Sequence, residues 1–365
     1  MDKRESFSWS GLECLGNRNH FDLPRITLLN SHQSKQPKGN DDWVRNTSEA
    51  IQAHRDERIV LLSSTELPTW EFVVWLGGVY GIPQIIVVAD YGITSRSAAV
   101  STILQEFELD SDLATFLFIK GQSSRPKSWW ANRDELILNI ADRLIPISIR
   151  PGGHLDDGLK TIGDAKGIDE SFKISWSREQ RRKPFQFDLE TIRREVDPPF
   201  QNKLIHWTRA ADGPWPGESR ANYYKAVSES GDDYARSAAE TLKHILAERR
   251  IRASPWRIRD GRPVVAFSGL PPSRATALMR WRRRYVRYSI EPYGIAIDRE
   301  AAAQYGILPV QYIDPDRAPS TVQPEFLQAV GNRGEWSAEC EYRCLGDVDL
   351  EALPKGSWVP LDLSP

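Results

Sequence analysis

Pro83-Gln84-Ile85-Ile86-Val87-Val88-Ala89 is the stretch that decides the fold. Its apolar β-formers run on without polar alternation, the pattern of a strand buried on both faces of a parallel sheet. Working outward, Arg58–Ser63 (RIVLLS) and Arg25–Asn30 (RITLLN) precede it, and Thr115–Ile119 (TFLFI) and Leu144–Ile149 (LIPISI) follow it, all of the same texture. The intervals carry helix-length segments near 41–55, 69–80, 94–108 and 130–143, with Thr94-Ser95 as an N-cap for the third. Strands alternating with helices predict an α/β domain, a doubly wound, Rossmann-like parallel sheet.

In such sheets ligands collect outside the carboxyl ends of the strands. Five loops fall there: Ser31–Gly39, Ser63–Glu66, Asp90–Gly92, Lys120–Ser124 and Arg150–Gly153. Each is rich in hydroxyls, amides, Lys or Gly, which predicts an anionic, nucleotide-like guest held by Ser31, Gln33, Lys35, Ser63, Ser64 and Arg150. Gly152-Gly153 adds a turn whose backbone N–H groups can approach a phosphate, because glycine accepts positive φ.

Composition sets the bounds. A chain of 365 residues suits two domains rather than one core. Hydrophobic residues make up 40% and charged ones 27%, a globular balance, and no apolar run approaches the ~20 residues of a membrane span. The charged start, Met1–Ser6, is not followed by an apolar segment, which predicts no secretory signal. Three cysteines, Cys14, Cys340 and Cys344, form no Cys-x-x-Cys pair and predict a reducing cytoplasm. Six histidines and three cysteines show no pair at zinc spacing, so no metal site is expected. A net charge of −2 supplies no global pull onto nucleic acid, but cations alternate with rings in Arg280-Trp281-Arg282-Arg283-Arg284-Tyr285-Val286-Arg287-Tyr288. That segment reads either as a base-stacking, phosphate-holding patch or as a surface helix.

The organisation reads as an extension (1–24), a Rossmann-like nucleotide- or phosphate-binding domain (25–155), a polar, Pro-punctuated linker (156–200) and an α+β domain (201–365) with catalytic candidates. In the last, Lys203–Trp207, Pro263–Ser268, Tyr293–Asp298, Pro309–Tyr312 and Cys340–Leu345 read as strands, and Tyr234–Arg249 and Ala275–Tyr285 as helices. Strand periodicity projects Glu339, Glu341 and Arg343 from one face. Two carboxylates beside a guanidinium suit either an ion-pair network or stabilisation of an oxocarbenium-like centre. His206 reads as a core histidine or a donor, and Cys340 and Cys344 as packing residues, with a nucleophilic thiolate as the alternative if Cys340 lies exposed beside Arg343.

Two resemblances follow. Leu61-Leu62-Ser63-Ser64, the helix ending Gly77-Gly78 and Pro83–Val88 are similar to the second strand, helix and third strand of the Rossmann-like superfamily of DNA-processing protein A and the lysine-decarboxylase-like cytokinin-activating enzymes. Ala131-Asn132-Arg133-Asp134-Glu135 and the Arg150–Gly153 turn resemble its arginine-started helix and glycine turn, which adds Arg133 to the ligand candidates. Members bind nucleotides, ribotides or single-stranded DNA at this edge. The chain departs from the pattern in having Asn30-Ser31-His32-Gln33 in place of an early Gly-Ser-Arg turn. Glu335–Arg343 resembles the ending of an uncharacterised bacterial family with a Trp-x-x-Glu-x-Glu-x-Arg pattern, and more remotely the second half is similar to ADP-ribosyltransferase-like folds. That last likeness implies convergence of His206, Ser268 and Glu341 on NAD, with Arg209 as an alternative dinucleotide clamp.

The reading that results is an enzyme acting on a nucleotide-like group, NAD or ADP-ribose, by glycosidic cleavage or transfer. NAD is then a substrate, and no resident cofactor is identified. The alternatives are an enzyme that binds single-stranded or modified DNA and acts on a base, with Arg280, Arg282, Arg283, Arg284 and Arg287 on the nucleic acid, and a non-catalytic nucleotide sensor. No membrane partner is expected, and the oligomeric state is not legible.

Overall fold

The structure, a computed structural model, describes residues 12–90, 93–119, 126–163, 166–177, 198–255, 258, 261–282, 287–313, 321–329 and 337–363. It divides into two compact units: residues 1–182 with 218–235, and residues 183–217 with 236–365.

The first unit is a sheet of β1 (Glu13–Gly16), β2 (Arg25–Asn30), β3 (Val60–Ser64), β4 (Gln84–Ala89), β5 (Ala114–Ile119), β6 (Arg143–Ile149), β7 (Gly167–Ile168) and β8 (Ile174–Ser175). The order is β1-β5-β4-β3-β2-β6-β7, with β8 also on β6. All pairs are parallel except β1 against β5. Residues of β3, β4 and β5 are buried at every position, as the unbroken apolar runs predict. Helices α1 (Asp42–His54), α2 (Pro68–Val79), α3 (Arg96–Phe107) and α4 (Pro126–Ile140) connect the strands. Ser95 caps α3 by accepting from the Ala98 N–H.

Two expectations are corrected here. The 1–24 extension carries β1, which closes the β5 edge; Gly16 sits there at φ +108, where an added Cβ would come within 2.5 Å of the Ala114 carbonyl oxygen. The 156–200 linker opens as α5 (His154–Ile162) and then supplies β7 and β8. Leu155, Leu159 and Ile162 lie at helical spacing and pack on the sheet core beneath a charged surface, so composition hid the helix. Residues 178–197 of that stretch lie outside the described residues.

The second unit holds a six-stranded antiparallel sheet in the order β15-β18-β11-β9-β14-β20. Its strands are β9 (Lys203–Trp207), β11 (Val264–Ser268), β14 (Tyr293–Asp298), β15 (Leu308–Pro309), β18 (Glu341–Leu345) and β20 (Trp358–Asp362). Three two-stranded pairings flank it: β10 (Arg250–Ile251) with β19 (Val348–Asp349), β12 (Trp281–Arg282) with β13 (Arg287–Tyr288), and β16 (Gln311–Ile313) with β17 (Leu327–Ala329). One sheet face packs Leu204, Phe267, Ile295 and Ile297 against Leu242 and Ile245, and against Ala301 and Ala302. Those four partners belong to α7 (Ala238–Glu248) and α9 (Arg299–Tyr305). The other face holds Ile205, Trp207 and Ala296 with Leu270, Ala275 and Met279. The helix expected over Ala275–Tyr285 is a short α8 (Pro272–Ala275), a 3-10 turn (Thr276–Leu278) and then the β12 and β13 strands. Trp281 and Tyr288 meet edge to face at 5.3 Å across that pair, a cross-strand contact that a helix would not form.

The helix α6 (Arg220–Glu229) belongs by packing to the first unit, although its sequence neighbours build the second. Its anchor is Glu71 of α2, 4% exposed. Glu71 Oε1 accepts the Glu66 N–H at 3.0 Å, and Oε2 accepts the Tyr224 hydroxyl at 2.7 Å and pairs with Arg220. Tyr224 also stacks on Phe107 at 6.3 Å. Burial, with the Glu71 charge added, pushes the Tyr224 phenol well above its ordinary range, so it remains a donor.

Tyr224→Phe leaves Glu71 one donor short in a dry site. It is expected to destabilise the first unit by about 1–3 kcal/mol, and Glu71→Ala by more, because Arg220 then loses its partner as well; urea midpoints check both, and unchanged midpoints would refute the anchor.

Candidate functional site

β2 and β6 are neighbours in space while β3, β4 and β5 extend away on the other side of β2. The connections therefore reverse direction between β2 and β6, the topological switch point at which open sheets receive ligands. Ser31 and Arg150 meet there: the Ser31 N–H donates to the Ser148 carbonyl at 2.9 Å, and the Arg150 N–H to Ser31 Oγ at 2.9 Å.

The glycine turn is built differently from the expectation. Gly152 has φ +65, but its N–H donates to Asp156 Oδ2 at 2.8 Å, and the Gly153 N–H donates to the Arg150 carbonyl at 3.0 Å. Asp156 thus occupies the place foreseen for a phosphate. Hydrogen bonds from Lys160 and then from Gly152 hold its carboxyl below the usual range.

Unused hydrogen-bonding capacity lies beside the turn. Asn30 Oδ1, Gln33 Nε2, Ser63 Oγ and Ser148 Oγ are buried without a hydrogen-bond partner among the described residues, a state that native interiors rarely tolerate. Asn30 and Ser148 are register neighbours across β2 and β6. Around them the rim is cationic and aromatic. Lys35 and Lys38 are half-buried in the loop that leaves β2. Arg150 Cζ lies 5.7 Å from the Trp176 ring centroid, and β8 sets that ring at the edge by pairing Ser175 with Ile149. Sequence reasoning misses Trp176, because the two-residue β8 that positions it is too short for periodicity to reveal.

Other ligand candidates have structural duties. Arg133 is wholly buried, its Nε and Nη2 on Asp134 Oδ1 at 2.9 and 2.8 Å and its Nη1 on the Thr65 carbonyl at 3.2 Å. Burial nonetheless raises the Asp134 pKa, with Arg133 opposing. Ser64 Oγ donates to the Val87 carbonyl at 2.6 Å.

In the second unit, Ser268 pairs with Glu341 on β18 and with Ile205 on β9. Directly opposed residues share a face, so Ser268, Glu341 and Arg343 project together while His206, beside Ile205, projects from the other face. His206 packs edge to face on Phe267 at 5.7 Å, and its Nδ1 is 2.9 Å from the Ala266 carbonyl. The three residues compared with the ADP-ribosyltransferase-like order therefore do not converge. Arg209 follows β9, and its charge opposes protonation of His206. Arg343 grips Glu341 with two bonds, at 2.8 and 3.1 Å, and also reaches the Glu325 carbonyl at 2.6 Å and Gln328 at 3.0 Å. Glu339 ends a 3-10 turn rather than opening β18. Burial first, and then the Glu341 charge, raise its pKa against the pull of Arg282, Arg280 and Arg343. Ser268 Oγ donates to the Glu339 carbonyl at 3.1 Å. Cys344 is buried and Cys340 is exposed, so the packing role holds for one of the two.

Of the arginine-rich patch, Arg287 is buried and pairs with Asp212 at 3.0 Å, Arg282 Nε donates to Ser289 Oγ at 3.1 Å, and Arg280 is exposed. Arg283 and Arg284 lie outside the described residues, as do the Lys120–Ser124 loop and Tyr91-Gly92. No helix among the described residues is long and apolar enough to cross a membrane.

No family model and no curated protein matches the chain. Among solved structures it is similar to DNA processing protein A from Helicobacter pylori, described for its single-stranded DNA binding mode, at TM-score 0.32 and 13% identity over 43% of this chain and 69% of that one. It is also similar to DNA processing protein A from Streptococcus pneumoniae, at TM-score 0.31 and 14% identity over 44% of this chain and 63% of that one. Values this low carry no function across.

Burial of the imidazole lowers the His206 pKa from 6.5 to about 4. In that window the unfolded chain takes up a proton that the folded ring refuses, so the stability contribution, complete above the window, is lost as pH falls through it. The stability advantage of wild type over His206→Gln is expected to shrink from neutral pH toward pH 4, read from urea midpoints; a gap constant with pH would contradict this.

Proposed function

We propose that the first unit binds single-stranded nucleic acid along the carboxyl edge of its sheet, at the switch point between β2 and β6. The observation that carries the reading is the set of buried polar atoms without partners among the described residues, Asn30 Oδ1, Gln33 Nε2, Ser63 Oγ and Ser148 Oγ, at the edge where Lys35 and Lys38 lie in the loop leaving β2 and Arg150 stands beside Trp176. Cations along an open edge suit a row of phosphates, and an aromatic face beside them suits stacked bases. Neutral amide and hydroxyl groups suit sugar and base edges, which offer both donors and acceptors.

An enclosed dinucleotide is less well supported. The amides of the glycine turn, which a pyrophosphate would need, already serve the turn itself. For catalysis in the second unit, the Glu339 and Glu341 pair supports a base-directed reaction better than the His206 set does, because the two carboxyls lie close enough for the Glu341 charge to act on Glu339, whereas His206 projects from the other face of the sheet.

Fluorescence anisotropy with a labelled oligonucleotide tests the reading. Affinity is expected to fall steeply between about 50 and about 200 mM salt, as released counterions require. Lys35→Ala and Arg150→Ala should weaken binding across sequences and reduce the salt slope by about one each. Trp176→Ala should cost about 1–3 kcal/mol without altering that slope. The reading does not survive if no binding occurs at low salt.

A further inference from the structure

A second concavity opens on the same sheet edge, away from the switch point. It lies between β1, the end of β4 and the first turn of α3, with a volume of about 370 Å³, within the range of small-ligand sites. Leu15 and Ile93 supply apolar wall, and Thr94 and Ser97 supply hydroxyls. Its floor is charged. Arg96 Nη1 donates to Glu13 Oε2 and Nη2 to Asp90 Oδ2, while the guanidinium carbon lies 5.5 Å from the Phe118 ring centroid.

Two carboxylates around one guanidinium leave the cleft with an excess of negative charge, which repels a phosphate. Each carboxylate spends one oxygen on Arg96, so among the described residues Asp90 Oδ1 and Glu13 Oε1 remain as acceptors in a lining that also holds Leu15 and Ile93. A guest that suits this lining is flat, uncharged and edged with N–H donors.

We propose that the cleft takes a nucleobase bearing an exocyclic amino group, cytosine in preference to thymine. A carboxylate accepting from cytosine N4 is a standard contact of base recognition. The neighbouring N3 and O2 of cytosine are acceptors for the guanidinium N–H groups that Glu13 and Asp90 leave over. Thymine carries a carbonyl where cytosine carries the amino group, and turns an acceptor toward a carboxylate. The inference rests on the strand reading above: β4 and β6 are three strand spacings apart, about 14 Å, so one extended strand passes over both sites. Phosphates are held at the switch point and a base is read at β4.

Anisotropy of the full chain with short deoxycytidine and deoxythymidine oligonucleotides tests this. The wild type should bind the deoxycytidine strand about tenfold more tightly, and Asp90→Asn should bring the two within about twofold while leaving deoxythymidine affinity unchanged. Glu13→Gln, on the exposed side of the cleft, gives the same readout should Asp90→Asn fail to fold. Lys35→Ala with Arg150→Ala should weaken both strands equally and keep the preference. Equal affinities in the wild type, or a preference that survives Asp90→Asn, overturn the cleft and leave the strand reading standing. If neither strand binds, the strand reading falls, and saturation-transfer NMR with cytidine and thymidine decides the cleft alone. A cytidine signal that disappears in Asp90→Asn upholds it; absence of signal from either nucleoside overturns it.

Discussion

A parallel strand cannot pair with its immediate successor through a tight turn, and that constraint shapes the first unit. After β5 completes one wing of the sheet, the chain returns by α4 to lay β6 against β2, since a crossover of a dozen or more residues is what parallel pairing requires. The return fixes the switch point. Near it Asn30, Ser63 and Ser148 end buried with oxygens that no partner among the described residues satisfies. The same geometry closes the Arg150 turn on Ser31 and puts Trp176 at the rim through β8. The Arg150 turn and the place of the Trp176 ring are thus consequences of where β6 lands.

Charge is managed in contrasting ways in the two units. In the first, Glu71 is buried but has three donors, so its desolvation is offset and the segment 218–235 is tied to α2. Arg133 is likewise spent on Asp134 and on a carbonyl of the sheet edge. In the second, Arg343 braces Glu341, while Glu339 is half-buried and feels the Glu341 charge.

The parallel strands are legible in the sequence because burial on both faces leaves an unambiguous apolar run: Arg25–Asn30 has the same ends in sequence and structure, and the runs at 58–63, 83–89, 115–119 and 144–149 agree within two residues. Elements with one wet face are harder. β1 and β8 are too short to show a period, and α5 has its apolar stripe diluted by Asp156, Asp157 and Lys160. At Arg280–Tyr288 the large residues fit either period, and the Trp281–Tyr288 contact across β12 and β13 decides for strands.

By itself, then, the sequence determined the α/β class, the buried strands and the polar loops at their carboxyl ends, because hydrophobic periodicity is written locally. What tertiary structure alone decided is which of those polar groups are left over. Asp156 filled the Gly152 amide, Asp134 took Arg133, and antiparallel register turned His206 away from Ser268 and Glu341. Each outcome depends on residues that sit side by side only after strands pair, and pairing, set by the burial of whole faces, is invisible to any one stretch of chain.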